Sequence, residues 1–98
     1  MTNIEAGKCY TVKEWFADKV ANEVGKNISE CNLFAVLKET EKAVYAMLNC
    51  GYKTRKTMWI PKSVIVEYED EYGGDNLIIN DNYEEVSKMF TDMWNDYN

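Results

Sequence analysis

The chain has 98 residues, of which 46% are hydrophobic and 13% aromatic, and it contains no histidine. This length fits one domain spanning residues 1–98, and the hydrophobic content excludes a disordered chain. No apolar run approaches the roughly 20 residues of a membrane-spanning helix, and Met1–Lys8 lacks the apolar core of a signal peptide. We therefore expect a cytoplasmic protein that does not associate with membranes.

Charge is distributed unevenly along the sequence. Residues 1–63 contain ten Lys or Arg and seven Asp or Glu, a balance of +3. Residues 64–98 contain one Lys and ten Asp or Glu, a balance of −9, which brings the whole chain to −6. Asymmetry of this kind bears on the partners that a protein attracts rather than on its fold.

The first predicted element is a helix that begins near Thr11 and ends at Gly25. Thr11 and Glu14 have the spacing of a capping box, in which the two side chains satisfy backbone N–H groups at the start of a helix. Gly25 suits the left-handed conformation that often ends a helix. Apolar residues recur between these ends at three- and four-residue spacing and predict one buried stripe: Val12, Trp15, Phe16, Val20 and Val24.

The middle of the chain predicts strands. Four short runs are rich in β-branched and aromatic residues and are separated by polar turns: Leu33–Leu37, Ala43–Leu48, Thr57–Ile60 and Val64–Tyr68. The first two runs are apolar on both pleat faces, which is typical of central strands covered on each side. Leu77–Ile79 predicts a short fifth strand.

The last predicted element is an amphipathic helix that Asn82 caps, with Glu84 and Glu85 in the first turn, where the helix dipole favours acids. Its apolar stripe consists of Val86, Met89, Phe90, Met93, Trp94 and Tyr97. The fold class is therefore α+β, with an N-terminal helix, a four- to five-stranded antiparallel sheet and a C-terminal helix. We expect seven large apolar side chains in the core: Trp15, Phe34, Val36, Trp59, Ile65, Phe90 and Trp94.

Residues 59–66, WIPKSVIV, resemble the strand, one-turn helix and strand that form the closing corner of small SH3-like barrels. This resemblance implies a sheet curled into a partly open barrel. Residues 39–43, ETEKA, followed by WIPKS also resemble a pattern found in short proteins of phages and mobile elements. The second resemblance implies that the protein works in the cytoplasm of a bacterial host.

Catalytic motifs are missing from the sequence. Without histidine, the usual general base at neutral pH and the Ser-His and Cys-His pairs are excluded. No glycine-rich phosphate loop occurs, and the acidic residues 67–75 do not have EF-hand spacing. Cys9, Cys31 and Cys50 fit buried hydrophobic positions better than reactive or metal-binding ones. We predict a non-enzyme with no cofactor and no metal site.

The acidic C-terminal third is the first candidate for a binding surface. Small size, an acidic pI, the missing catalytic groups and the phage-like motif together resemble the type of anti-CRISPR proteins. The resemblance implies a non-catalytic inhibitor that blocks a nucleic-acid-handling host defence protein through a basic surface on that protein. The candidate contact residues are Glu67, Glu69, Asp70, Glu71, Tyr72, Asp75, Asp81, Glu84 and Glu85.

Two alternatives remain open. A small module could bind single-stranded nucleic acid through a basic hairpin, by phosphate contacts and base stacking, using Tyr52, Lys53, Arg55, Lys56 and Lys62. The net charge of −6 repels a polyanion, so we expect no direct binding of nucleic acid. The other alternative is an oligomeric structural module. A homodimer could also form through the Met89–Tyr97 helix face, although we expect this stripe to pack on the sheet of its own domain.

Overall fold

The computed structural model describes residues 4–25, 30–51, 53–69 and 76–96. The elements in chain order are β1 (Cys9–Val12), α1 (Glu14–Val24), β2 (Asn32–Glu39), β3 (Ala43–Asn49), β4 (Arg55–Pro61), a one-turn 3-10 helix (Lys62–Val64), β5 (Ile65–Tyr68), β6 (Ile78–Ile79) and α2 (Tyr83–Asp96). The predicted α+β class, with a helix on either side of the main strands in sequence, is confirmed. Neither helix in these ranges is long and apolar enough to cross a membrane.

The sheet follows the order β4-β3-β2-β1-β5, and every pairing on this path is antiparallel. The path is not closed into a barrel. The short strand β6 lies off the path and pairs with β2 in parallel, with Ala35 opposite Ile78 and Val36 opposite Ile79. β1 and β6 pair with the same edge of β2. They do not compete for it, because the pairing of β1 with β2 is limited to Thr11 and Asn32.

β1 was not predicted, and it changes the interpretation of the chain before α1. Its four residues pair with β5 from Cys9↔Tyr68 to Val12↔Ile65. The predicted capping box is therefore wrong, because Thr11 lies in a strand and its hydroxyl donates to the carbonyl of Cys31 at 2.9 Å. Lys13 precedes α1 without a side-chain cap. The C-terminal end is as predicted, since Gly25 adopts φ 75° and its N–H donates to Ala21 at 2.9 Å.

The corner implied by residues 59–66 is present, with the 3-10 helix Lys62–Val64 joining β4 to β5. Pro61 ends β4 in an extended conformation, and the next N–H, that of Lys62, donates to the carbonyl of Lys42 at 2.8 Å. The carbonyl of Val64 accepts a bond of 2.9 Å from the N–H of Lys13. The corner is thereby fixed to the junction between β1 and α1.

Two apolar cores lie on the two faces of the sheet. β3 alternates between them, with Val44, Ala46 and Leu48 on one face and Tyr45 and Met47 on the other. The α1-face core includes Ile4, Tyr10, Val12, Phe16, Val20, Cys31, Leu33, Val36, Val44, Ala46, Leu48, Cys50, Ile60, Val64, Ile65 and Leu77. The α2-face core consists of Phe34, Ala35, Leu37, Met47, Val86 and Phe90. The prediction that β2 and β3 are covered on both sides is confirmed.

The predicted core contained two errors, Trp15 and Trp59, whose exposed fractions are 60% and 47%. Trp15 lies in the first turn of a helix that begins two residues later than the capping box implied, and its ring contacts that of Phe16 edge to face, at 5.7 Å between ring centroids. Trp59 lies on an outer strand, where its ring packs on Tyr45 at 5.4 Å between ring centroids. Of the other five predicted core residues, Trp94 is half-buried. The remaining four are buried: Phe34, Val36, Ile65 and Phe90.

Candidate binding surfaces

The acidic residues of the first candidate surface fall into separate places on the fold. Glu67 lies in β5, where its carboxylate is 3.7 Å from the ammonium of Lys8. Lys8 also forms an ion pair of 2.9 Å with Glu5. The hydrogen bond in this pair, followed by the negative charges of Glu5 and Glu67, raises the pKa of Lys8. Glu69 follows β5 and is exposed. The charge of Glu67 is therefore partly compensated within the protein.

Part of this candidate set lies outside the described residues. Asp70, Glu71, Tyr72 and Asp75 belong to residues 70–75, and Tyr52 of the basic alternative also lies outside.

A second acidic group lies at the start of α2. Asp81, Glu84 and Glu85 are exposed and form no ion pair with any residue in the described ranges. The predicted cap is confirmed, because the side-chain oxygen of Asn82 accepts from the N–H of Glu85 at 3.1 Å. The side chain of Asn80 accepts in turn from the N–H of Asn82 at 2.9 Å, so the chain enters the helix in a fixed conformation. These carboxylates lie at and just before the capped start of α2 and are exposed to water.

Two exposed apolar side chains flank these carboxylates, and the sequence analysis missed both. Ile79 at the end of β6 is 52% exposed, and Tyr83 at the start of α2 is 46% exposed. The alternation along β6 carries the signal, since Ile78 packs on the α2-face core and Ile79 therefore points the other way. We call the group of Ile79, Asp81, Tyr83, Glu84 and Glu85 the β6–α2 surface.

The β6–α2 surface continues into a groove of about 450 Å³ beside β2. No strand in the described ranges pairs with β2 beyond Val36 on this side. The groove is lined by Val36, Leu37, Lys38, Glu39, Ile79, Asn80 and Asp81. A partner could therefore contact both the acidic helix start and an open strand edge.

The basic residues of the alternative site are divided between two ends of β4. Arg55, at its start, donates to the hydroxyl of Ser87 at 2.5 Å and stacks on Phe90 of α2 at 5.7 Å. Lys62, past its end, forms an ion pair of 2.5 Å with Glu39, and its side chain is only 11% exposed. A strand of this length separates the two by roughly 20 Å. The structure thus does not gather these cations into one continuous patch.

The predicted dimer face is partly used inside the domain. Met89, Met93 and Trp94 pack against the α2-face core, and Phe90 is buried in it. Tyr97, the last residue of the stripe, lies outside the described residues. The stripe therefore holds α2 on its own sheet.

Two of the three buried cysteines meet across the sheet. Cys31 and Cys50 flank the opposed pair Asn32↔Asn49 at the open end of β2 and β3. Interaction with the Cys50 thiol, followed by burial, raises the pKa of Cys31. The Cys31 thiol in turn lowers the pKa of Cys50, against the opposite effect of burial. No disulfide links them. In the described part of the chain, no three His, Cys, Asp or Glu side chains are placed to hold a metal ion.

No protein-family profile, no curated protein and no solved structure matches the chain.

Proposed function

We propose that the protein is a non-catalytic inhibitor of the kind that phages direct against host defences. In this proposal the β6–α2 surface, together with the acidic residues 67–75, occupies a basic surface on a nucleic-acid-handling host protein. The observation that carries the proposal is the set of exposed carboxylates Asp81, Glu84 and Glu85, none of which has an ionic partner in the described ranges.

Electrostatics supports a protein partner of opposite charge. Residues 64–98 have a balance of −9, and self-repulsion of this size costs a monomer some stability. Two carboxylates in the first turn of α2 are accounted for by the helix dipole, but the dipole does not require the acids outside that turn. A basic partner surface would compensate the remaining charge, and the attraction would accelerate association in a salt-dependent way.

The exposed apolar side chains of the β6–α2 surface, Ile79 and Tyr83, can supply binding energy that exposed charges alone do not provide. Binding energy concentrates in desolvated aromatic and apolar anchors, while exposed charge pairs contribute little. Tyr83 lies between Asp81 and Glu84 in the sequence, so a partner arginine that pairs with a carboxylate could also stack on its ring. Nucleic-acid-handling proteins present arginine and lysine side chains on their surface to bind phosphates, so they offer the basic surface that the proposal requires.

The test uses immobilised protein and lysate of a bacterial host at about 0.15 M salt. The triple variant Asp81→Asn, Glu84→Gln and Glu85→Gln should lose most of the retained partner, because it removes the exposed negative charge. It does not place a positive charge at the start of the helix, which the helix dipole would disfavour. Asp92→Asn with Asp96→Asn is the matched control, since both residues are exposed acids at the other end of the same helix. The retained protein should be one that handles nucleic acid, and its retention should fall as salt is raised.

Equal retention by the triple variant and the wild type, with both folded, would exclude the β6–α2 surface. Charge reversal at Glu69, Asp70, Glu71 and Asp75 then tests the other acidic segment in the same assay. If neither set changes retention, the acidic third is not the binding site. Retention that is insensitive to salt would contradict the electrostatic basis of the proposal.

A further inference from the structure

A cavity of about 250 Å³ lies between the start of β4 and the C-terminal half of α2. It is lined by two cationic, two aromatic and two polar side chains: Lys53, Arg55, Phe90, Thr91, Trp94 and Asn95. The 14 residues of α2 span about 20 Å, so this cavity and the β6–α2 surface lie towards opposite ends of the helix. The cavity is therefore a separate candidate site.

Arg55 is held in place at this cavity by neutral groups. Its Nη1 donates to the hydroxyl of Ser87 at 2.5 Å and to the Ser87 carbonyl at 3.4 Å. Its guanidinium carbon lies 5.7 Å from the ring centroid of Phe90. No carboxylate in the described ranges forms an ion pair with it, although Arg55 is half-buried. A half-buried guanidinium that is already oriented and has no ion pair within the described ranges is well suited to bind an anion.

Lys53 brings a second cation to the same wall. It lies in the turn between β3 and β4, where the N–H of Cys50 donates to Thr54 at 2.9 Å and that of Thr54 to Gly51 at 3.1 Å. Lys53 adopts φ 54°, a left-handed conformation that disfavours side chains with a Cβ and is more often filled by Gly or Asn. The turn thus accepts an unfavourable residue type at a position whose residue lines the same cavity as Arg55.

We propose that this cavity binds a small organic anion that carries one flat ring. Arg55 and Lys53 bind the carboxylate or phosphate, and the ring packs on the half-buried Trp94. The volume lies at or just below the small end of the range for ligand pockets, about 300 Å³, so the ligand is limited to roughly one ring system and one charged group. An aromatic carboxylate and a nucleoside monophosphate share this chemistry.

The experiment follows the indole N–H of Trp94 by two-dimensional NMR on the full chain. N-acetylphenylalanine is the aromatic carboxylate probe and adenosine 5′-monophosphate is the nucleotide probe. At least one should give a saturable shift at millimolar concentration, and the stronger one identifies the source of the ligand. N-acetylphenylalanine amide and adenosine keep the ring without the anion, whereas acetate and inorganic phosphate keep the anion without the ring. All four should bind at least about tenfold more weakly.

Variants assign the binding to the two cations. Lys53→Gln and Arg55→Gln should each weaken the better probe by about tenfold, the usual effect of losing a charge-assisted hydrogen bond. Lys88→Gln is the matched control, because Lys88 lies on α2 but does not line the cavity. It should leave the affinity unchanged. Arg55→Gln also removes the bonds to Ser87, so Lys53→Gln decides the matter if Arg55→Gln does not fold.

Three results would overturn the proposal: no shift with either anionic probe, equal binding of the neutral ring compounds, or unchanged affinity in Lys53→Gln. The proposed inhibitor function is tested separately. The triple variant of the β6–α2 surface should bind the small anion like the wild type, whatever its effect on the protein partner.

Discussion

The two faces of the sheet differ in how they are built. In the described ranges the α1-face core contains sixteen buried residues, whereas the α2-face core contains six. The α2 face instead has a half-buried rim of Tyr45, Ile78, Met89, Met93 and Trp94. Since burial of apolar surface provides most of the stability, the α1 face holds the fold together. The thinner α2 face carries the cavity lined by Arg55 and Trp94, and the start of α2 carries the acidic residues of the β6–α2 surface.

Polar contacts compensate for the thin packing of α2. The Asn82 cap fixes its start, and the bond from Arg55 to Ser87 fixes its middle. Phe90 packs edge-on against Phe34 at 5.4 Å, below the stacked guanidinium of Arg55. Elements with fewer buried apolar contacts open at lower free energy than the core, so α2 is expected to open before the α1 face does.

The largest effect is expected on the α1 face. Phe16→Ala removes a fully buried ring from the larger core and should lower the free energy of unfolding by about 3–5 kcal/mol. Urea denaturation followed by circular dichroism measures this. A loss below about 1 kcal/mol would show that the α1 face does not dominate stability.

An intermediate effect is expected on the rim of the α2 face. Trp94→Ala should cost about 1–3 kcal/mol, because the side chain is half-buried and lines the cavity rather than lying in the buried core. The same denaturation experiment applies. If Trp94→Ala lowers the free energy of unfolding as much as Phe16→Ala does, the two faces do not differ in their contribution to stability.

The smallest effect is expected at the two exposed tryptophans. Trp15→Ala and Trp59→Ala should each change the free energy of unfolding by about 1 kcal/mol or less, because neither ring belongs to a core. Trp59 should lie at the upper end of that range because of its contact with Tyr45. A loss of about 3 kcal/mol at either position would mean that the ring is covered in solution.

The sequence predicted those elements whose signals are local. The cap and stripe of α2 lie within 15 residues, and the apolar alternation of β2 and β3 predicted their central position. β1 was missed because a Tyr-Thr-Val run fits either a strand or a helix start. Its pairing with β5, over 50 residues away, decided the matter. Tertiary pairing of this kind overrides local propensity.

The candidate sites depend even more on distant contacts. Arg55 and Ser87 are 32 positions apart, and no local pattern connects a hairpin cation to the hydroxyl of a helix. The sequence could identify the basic residues as a cluster, but only the fold shows that Arg55 belongs with α2 and Lys62 with Glu39. Exposure of Trp59 was equally hidden, because an outer strand has the same alternation as an inner one.

The pairing of β1 with β5 has a consequence for the order of folding. Cys9 and Tyr68 are 59 positions apart. During synthesis, β1 therefore leaves the ribosome long before β5, and the two strands cannot pair until β5 has been made. The hairpins β2–β3 and β3–β4 join neighbouring segments and can form earlier, at low cost in loop entropy. We expect the closing of β1 between β2 and β5 to be the late, slow step of folding. Until that step, the newly made chain exposes a growing apolar sheet edge to its neighbours in the cell.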